Sequence, residues 1–231
     1  MKKDCSDIGC HNCAMKSVPF SKLTDEQLEY ADKNKTVVTY NIGETICKKG
    51  APLTHVLFLW DGIAKVYTDL PNQKHVIMKL LKKCDMYAGP GIFADEKYHY
   101  SVTALTPVKL CMIKIEAFYE IARQNSLFTY ELLSLSNHAH IRYMFHLTSL
   151  TQKNMQGRFS DMLLYLRHHI YDENPFTANT SRQDMADMTA MSKESLIRIM
   201  KEFKEEGLIE VNGDTITLLQ EEKIKFISEH S

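Results

Sequence analysis

The sequence predicts an α+β chain: a small antiparallel β-roll, then a long helix, then two short helices followed by a hairpin. Three observations predict it. From Thr36 to about Ile115, short alternating or continuous apolar runs are broken by Gly, Pro and Asn at the even spacing of an antiparallel roll. From about Leu127 to Gln156 neither Pro nor Gly interrupts the chain. From Thr180 to Phe203 two apolar stripes of helical period flank a tight connection.

Taken in order, the first eighteen residues are polar and cysteine-bearing without a periodic apolar face, and they read as an arm. In SKLTDEQLEYADKN, Leu23, Leu28 and Ala31 give a short amphipathic helix, started by Thr24 with Gln27 three residues on, a capping box. The strands expected next are TVVTYN, ETICKKG, HVLFLWDG, IAKVYTD, HVIMKLL, YSVTAL and VKLCMIKI. After Glu116 the texture turns helical, first in EAFYEIARQ and then in the long run. There Leu133, Asn137, His140, Met144, Leu147 and Thr151 form a heptad-like seam with polar positions in it. Such a stripe serves either a partner helix or the chain's own roll. Beyond Gly157-Arg158, FSDMLLYLRHHI reads as a further helix.

In the C-terminal stretch Ser181 can cap a helix carrying Met185, Ala186 and Met188 inward, and Ser192 can cap a second. In that second helix Leu196, Ile199, Met200 and Phe203 fall at i, i+3, i+4 and i+7, one buried stripe. The opposite face presents Lys193, Glu194, Ile197, Arg198 and Lys201. Those residue types suit a DNA major groove: Arg forks onto guanine O6 and N7, Glu accepts from the cytosine amino group, and Lys takes guanine or phosphate. A merely solvated mixed-charge face has the same composition, so charge alone leaves both readings open.

At 231 residues and 44% apolar the chain can bury a real core and is long enough for two domains. No apolar run approaches 18 residues and no charged-then-apolar leader precedes the fold, so the expectation is a cytoplasmic protein without membrane contact. A net charge of -1 excludes non-specific coating of nucleic acid, which needs many phosphate contacts. It does not exclude a dimer reading one site, because Lys193, Arg198 and Lys201 against Glu194 concentrate positive charge locally. Enzyme constellations are missing: there is no Walker loop and no H-E-x-x-H, and Gly89-Pro90-Gly91 reads as a turn between strands. The six cysteines are Cys5, Cys10, Cys13, Cys47, Cys84 and Cys111. In a cytosolic chain they leave metal binding, redox sensing or burial open, and three crowd the first thirteen residues as C-x4-C-H-x-C. A thiol oxidoreductase built on Cys10-His11-Asn12-Cys13 is disfavoured, since the pair lies outside any βαβ unit.

The stretch SRQDMADMTAMSKESLIRIMKEFKEEGLI resembles the helix-turn-helix of the Crp/Fnr superfamily of bacterial transcription regulators, with Glu194 and Arg198 at its E-x-x-x-R pair. Gly207-Leu208-Ile209 and EVNGDTITLL, turned at Asn212-Gly213, match its wing. GETICKKGAP followed by VLFLWDGIAKVY is similar to the opening strands of the cyclic-nucleotide-binding-type domain of the same superfamily. The resemblance runs from Pro19 to about Leu219. It implies an N-terminal double-stranded β-helix (jelly-roll) sensor domain, a long dimerisation helix and a C-terminal winged helix-turn-helix. The corresponding divisions are an arm at 1–18, a sensor roll at 19–125, a dimerisation helix and hinge at 126–156, and a DNA-binding domain at 157–231. Implied partners are double-stranded DNA with a two-fold operator, a second copy of the chain as homodimer, and RNA polymerase. The implied DNA-binding set is Ser181, Arg182, Ser192, Lys193, Glu194, Ile197, Arg198 and Lys201.

Two departures bear on the signal. In nucleotide-binding relatives a Gly-Glu pair holds the ribose and an Arg-Ser pair neutralises the cyclic phosphate; here those Glu and Arg positions fall on Gly89 and Tyr100. A buried phosphate without that Arg keeps an unpaired charge, so cyclic AMP is not expected even if a pocket at Gly89, Gly91, Tyr100 and Ser101 persists. The cysteines resemble the Fnr branch, whose iron–sulfur cluster is held by an N-terminal group plus one distant cysteine. Carried over, the ligands would be Cys5, Cys10, Cys13 and Cys111. The longer gap that follows C-x2-C in that branch is missing, and the additional cysteine precedes the pair. His11 opens a zinc site as a second reading, and free thiols on a flexible arm a third. The competing class is a stand-alone sensor or metal-binding module acting through protein contacts rather than DNA.

Overall fold

Thr24 starts the first helix, α1 (Asp25–Lys33), as a reciprocal cap: Gln27 N–H donates to Thr24 Oγ1 at 3.3 Å, and the Gln27 side chain accepts from Thr24 N–H at 3.2 Å. Leu28 and Ala31 of this helix are buried. The computed structural model describes residues 9–14, 16–69 and 75–231; Cys5 lies outside them. The chain divides into two compact units, Met1–Thr68 with Leu81–Ile141 and Asp69–Leu80 with Arg142–Ser231.

The roll is built from β1 (Lys35–Tyr40), β2 (Thr45–Cys47), β3 (His55–Asp61), β4 (Ala64–Asp69), β5 (His75–Leu81), β6 (Met86–Tyr87), β7 (Ser101–Ala104) and β8 (Val108–Lys114). One sheet has the order β1-β8-β3-β6 and the other β2-β7-β4-β5. Strand β8 lies centrally in the first, with Cys111 opposite Val37 on one side and Phe58 on the other. The alternation that predicted these strands also fills the core: Val56, Leu57, Leu59, Val66, Val102, Val108 and Leu110 are fully buried. Two helices close over them, α2 (Ile115–Gln124) and the start of α3 (Ser126–Gln152). Phe118 and Phe128 meet edge to face at 5.3 Å, and Phe20 meets Phe128 at 5.7 Å. Each such side chain contributes about 1.5–3 kcal/mol of burial.

Helix α3 leaves a wide apolar arc uncovered. Leu127, Tyr130, Leu133, Ile141, Met144, Phe145 and Leu147 are all exposed. Of the seam expected from the sequence, all six residues are exposed, the polar Asn137, His140 and Thr151 included.

The second unit contains α4 (Met155–Tyr165), which runs into a π-helical turn at Leu166–Tyr171. Strand β9 (Phe176–Thr177), α5 (Arg182–Thr189), α6 (Lys193–Glu205), the hairpin β10 (Ile209–Asn212) and β11 (Thr215–Leu218), and α7 (Glu221–Glu229) follow. Its core is Phe159, Leu163, Leu166, Phe176, Leu196, Phe203, Ile216 and Ile224, all buried. Phe159 of α4 and Phe203 of α6 pack perpendicular at 5.0 Å. The boundary between the two units, at Ile141 and Arg142, falls inside α3. Among the described residues no helix is long and apolar enough to cross a membrane.

Candidate nucleic-acid interface

Helices α5 and α6 are set by serine caps and joined by three residues, Ala190 to Ser192. Asp184 N–H donates to Ser181 Oγ at 3.0 Å while Asp184 accepts from Ser181 N–H at 3.0 Å, a full capping box with Asp at its third position. Ser195 N–H donates to Ser192 Oγ at 3.1 Å and starts α6. Between them Thr189 is buried, its hydroxyl donating to the Met185 carbonyl at 2.9 Å, and Ala190 adopts the left-handed conformation at φ 49°. Met185, Ala186 and Met188 of α5 and Leu196, Ile199, Met200 and Phe203 of α6 are buried as the stripes required.

The opposite face of α6 is open. Lys193, Glu194, Ile197, Arg198 and Lys201 are all exposed, as is Ser192 at the helix start. Its own backbone N–H and the Ser192 hydroxyl hold the Glu194 carboxyl below its usual range, so it stays an acceptor. Arg198 Nε lies 3.8 Å from Glu202 and Lys201 Nζ 3.5 Å from Glu205. Such a face, with donors and one acceptor in the first turns of an exposed helix, can read base edges in a major groove.

Beside it the hairpin pairs Ile209 with Leu218 through Asn212 with Thr215, and β9 extends it by Thr215–Thr177 and Ile216–Phe176. Gly213 takes a positive φ of 60° at the tip, the conformation that Asn-Gly turns supply. Arg182 Nη2 donates to the Gly213 carbonyl at 2.8 Å. This arginine, expected among the DNA contacts, thus ties the start of α5 to the hairpin tip. Arg158 was not anticipated; its Nη1 donates to the carbonyls of Thr189 at 3.0 Å and Ala190 at 3.4 Å.

The other candidate residues lie in the first unit. Cys10, Cys13 and Cys111 line one small cavity of about 50 Å³, walled by Phe20, Phe58 and Trp60 and bordered by Lys16 and Lys35. Cys10 N–H donates to Asp32 Oδ1 at 3.0 Å, and Asp32 pairs with Lys35 at 2.6 Å, which holds the arm on the roll. Burial pushes the Cys10 thiol up to about 12 against the opposing pull of Lys35. Among the described residues no three His, Cys, Asp or Glu side chains are grouped to hold a metal ion. The donors suit a soft metal in kind, and Cys5, the fourth candidate, lies outside the described residues. Cys84 is exposed at φ 72° in the loop before β6.

At the expected effector positions, Gly89 sits at φ 77° and a Cβ on Gly91 would overlap the Lys97 carbonyl, so both glycines answer to the backbone path. Tyr100 is half-buried, and Ser101 is buried with its Oγ accepting from Lys49 N–H at 3.1 Å.

With this geometry in view, comparison with known proteins is direct. The family model described as cyclic nucleotide-binding domain matches residues 37–125, and that described as Crp-like helix-turn-helix domain matches 157–227, together more than half of the chain. Electron transport regulator A of Shewanella oneidensis is 22% identical over 227 residues, spanning 96% of this chain and 90% of that protein. The transcriptional activator protein FnrL of Cereibacter sphaeroides is 20% identical over 213 residues, spanning 88% and 85%. The structure of FixK2 from Bradyrhizobium japonicum superposes with a TM-score of 0.79 at 16% identity, over 85% of this chain and 98% of that one. The two matched domains in this order, around an exposed helix α6 on serine-capped supports, make the chain a member of the Crp/Fnr family of DNA-binding transcription regulators and not an enzyme.

Proposed function

We propose that this regulator works as a homodimer that reads a two-fold DNA site through α6 and takes its signal at the thiol cavity of the roll. The exposed apolar arc of α3 carries the first half of this reading. Seven large apolar side chains on one helix are a surface that a monomer in water does not favour. A second copy would cover it symmetrically and set two α6 helices for successive major grooves. RNA polymerase is the further partner such a DNA-bound regulator would meet. The test is selection of duplexes from a random library by the pure protein: a two-fold consensus with half-sites one helical turn apart is expected, and an asymmetric single site would overturn the dimer reading.

The signal half rests on three of the four candidate thiols, Cys10, Cys13 and Cys111, bordering one cavity. An iron–sulfur cluster or a zinc ion would draw sulfurs from these and from Cys5. A bound cluster would supply an oxygen-labile redox centre; zinc would supply a structural clamp between arm and roll. Protein purified without oxygen decides between them by its visible absorption and metal content. A signal read at these thiols predicts that Cys111→Ser abolishes the response of DNA binding to air, and an undiminished response overturns it.

A further inference from the structure

Helix α4 begins at the junction that follows α3, and two charged side chains in its first two turns face different neighbours within the same unit. Asp161 accepts from the Ser149 hydroxyl, from Lys153 Nζ at 2.8 Å and from the Ser228 hydroxyl of α7. Three positions earlier, Arg158 reaches the other way, to the two carbonyls that close α5, Thr189 and Ala190. Those carbonyls belong to the orphan set that every helix leaves at its C-terminus, and the negative end of the helix dipole lies there too. A guanidinium is the donor best matched to them, since its charge strengthens each bond and meets the dipole.

The turn it grips is strained. Ala190 stands at φ 49° and ψ 43°, the left-handed conformation that ordinarily falls to glycine because a Cβ crowds the following carbonyl. Two backbone bonds close this end, from Met191 N–H and from the Ala190 cap N–H, and both turn to the one Ala186 carbonyl. The turn also fixes where α6 starts, because Ser192 caps that helix two residues later.

We infer that Arg158 is a positioning residue for DNA reading: by holding the Thr189 and Ala190 carbonyls it fixes the turn between α5 and α6, and so the angle at which Lys193, Glu194 and Arg198 are offered. It touches no base itself. Through α4 it also connects the Asp161 cluster at the end of α3 to that turn. The inference rests on α6 being the reading helix, and the experiment separates the two.

Full-length protein is titrated by fluorescence anisotropy with the duplex that the unaltered protein enriches from a random library, and with a scrambled duplex of equal length, at one salt concentration. Arg158→Met is expected to weaken the enriched duplex about tenfold, the scale of a displaced base contact, and the scrambled one less than about twofold. Ala190→Gly added to Arg158→Met should recover most of that loss, because glycine holds the left-handed turn without help. A purely structural role would lower the melting temperature but leave the ratio of the two affinities unchanged in the folded protein, and that result overturns the inference. If Arg158→Met does not fold, Arg158→Gln, which removes the charge and shortens the reach, is read instead; an unchanged ratio there is equally fatal. Arg198→Ala serves as the control, since its failure to change the ratio would remove the reading role of α6 rather than that of Arg158.

Discussion

Substituting Leu147 on α3 by glutamate tests the proposed dimer at the point where its energetics are easiest to work out. Leu147 retains 52% of its surface in the single chain, so a partner has about half a leucine left to cover. Full burial of such a side chain is worth about 1.5–3 kcal/mol, which puts the covered half near ~1 kcal/mol and the symmetric pair near ~2 kcal/mol. Glutamate forfeits that and sets two carboxylates into a seam already occupied by the apolar Leu133 and Met144. An unpaired polar group so buried costs roughly 1–3 kcal/mol even when partly hydrated. Together the change approaches ~4 kcal/mol, a dissociation constant about a thousandfold higher.

Sedimentation velocity across the micromolar range would read this directly, with circular dichroism to confirm that α3 persists. Dimer in the unaltered protein and monomer in Leu147→Glu are expected, and affinity for the two-fold duplex should fall in step because each half-site then binds alone. A tight dimer in the variant would mean that the seam lies elsewhere on the arc. At 3.6 residues per turn the uncovered residues reach from Leu147 to Phe145, about 160° around the helix. A dimer that survives Leu147→Glu but not Phe145→Glu would relocate the interface, whereas one that survives both would refute dimerisation through α3.

Three further outcomes are expected. Arg198→Ala should weaken the selected duplex by about 1–3 kcal/mol per half-site and scrambled DNA only slightly, whereas Lys201→Ala should weaken both alike and flatten the salt slope by about one; equal losses for Arg198→Ala would make it a phosphate clamp. Calorimetry with cyclic AMP or cyclic GMP should show no saturable heat at near-millimolar ligand, since the resemblance puts Gly89 and Tyr100 at the positions of the ribose and phosphate partners, and micromolar binding of either would overturn that argument. Burial holds the His146 imidazole below its usual range, despite the Ile77 carbonyl and Asp161. The unfolded chain therefore takes up a proton near pH ~6.5 that the folded chain resists, so stability should fall as pH drops from about 7 to 5. Thermal melts of His146→Gln should show a shallower fall, and an identical one would remove His146 as its cause.

What the sequence made legible and what it hid divide by the range of the forces involved. The α6 stripe and its serine cap were readable because Leu196, Ile199, Met200, Phe203 and Ser192 interact within one or two turns of each other. The eight-strand roll was readable for seven of its strands by alternation, while β6 and β9, two residues each, are too short to carry a period. FSDMLLYLRHHI reads as one helix, yet its second half winds as a π-helix from Leu166, a change of pitch that no residue in the string announces. Helix α7 was missed because its buried positions are only Ile224 and Ser228. The contacts of Arg158 and Arg182 are the clearest limit. Each arginine bonds to a carbonyl 31 residues further on, and a carbonyl has no residue identity to recognise. The grouping of Cys10, Cys13 and Cys111 was implied by the resemblance to the Fnr branch, but the size of the space between them follows only from how the arm lies on β8.

The cations of α6 carry their own competitors, and this bears on how a chain of net charge -1 discriminates between sites. Arg198 and Lys201 each have a glutamate four residues on, Glu202 and Glu205, at 3.8 and 3.5 Å. Exposed pairs of this kind are worth only about 0.3–0.5 kcal/mol, so either cation can leave its partner for a better acceptor. Guanine O6 and N7, which Arg meets with two bonds, offer more than that; a single screened phosphate offers about as much as it displaces. The pairs therefore weaken contacts to random DNA by a larger fraction than contacts to the correct base. Selectivity on this account comes as much from the glutamates behind the reading face as from the arginine on it, and Glu202→Gln should tighten scrambled DNA more than the selected duplex.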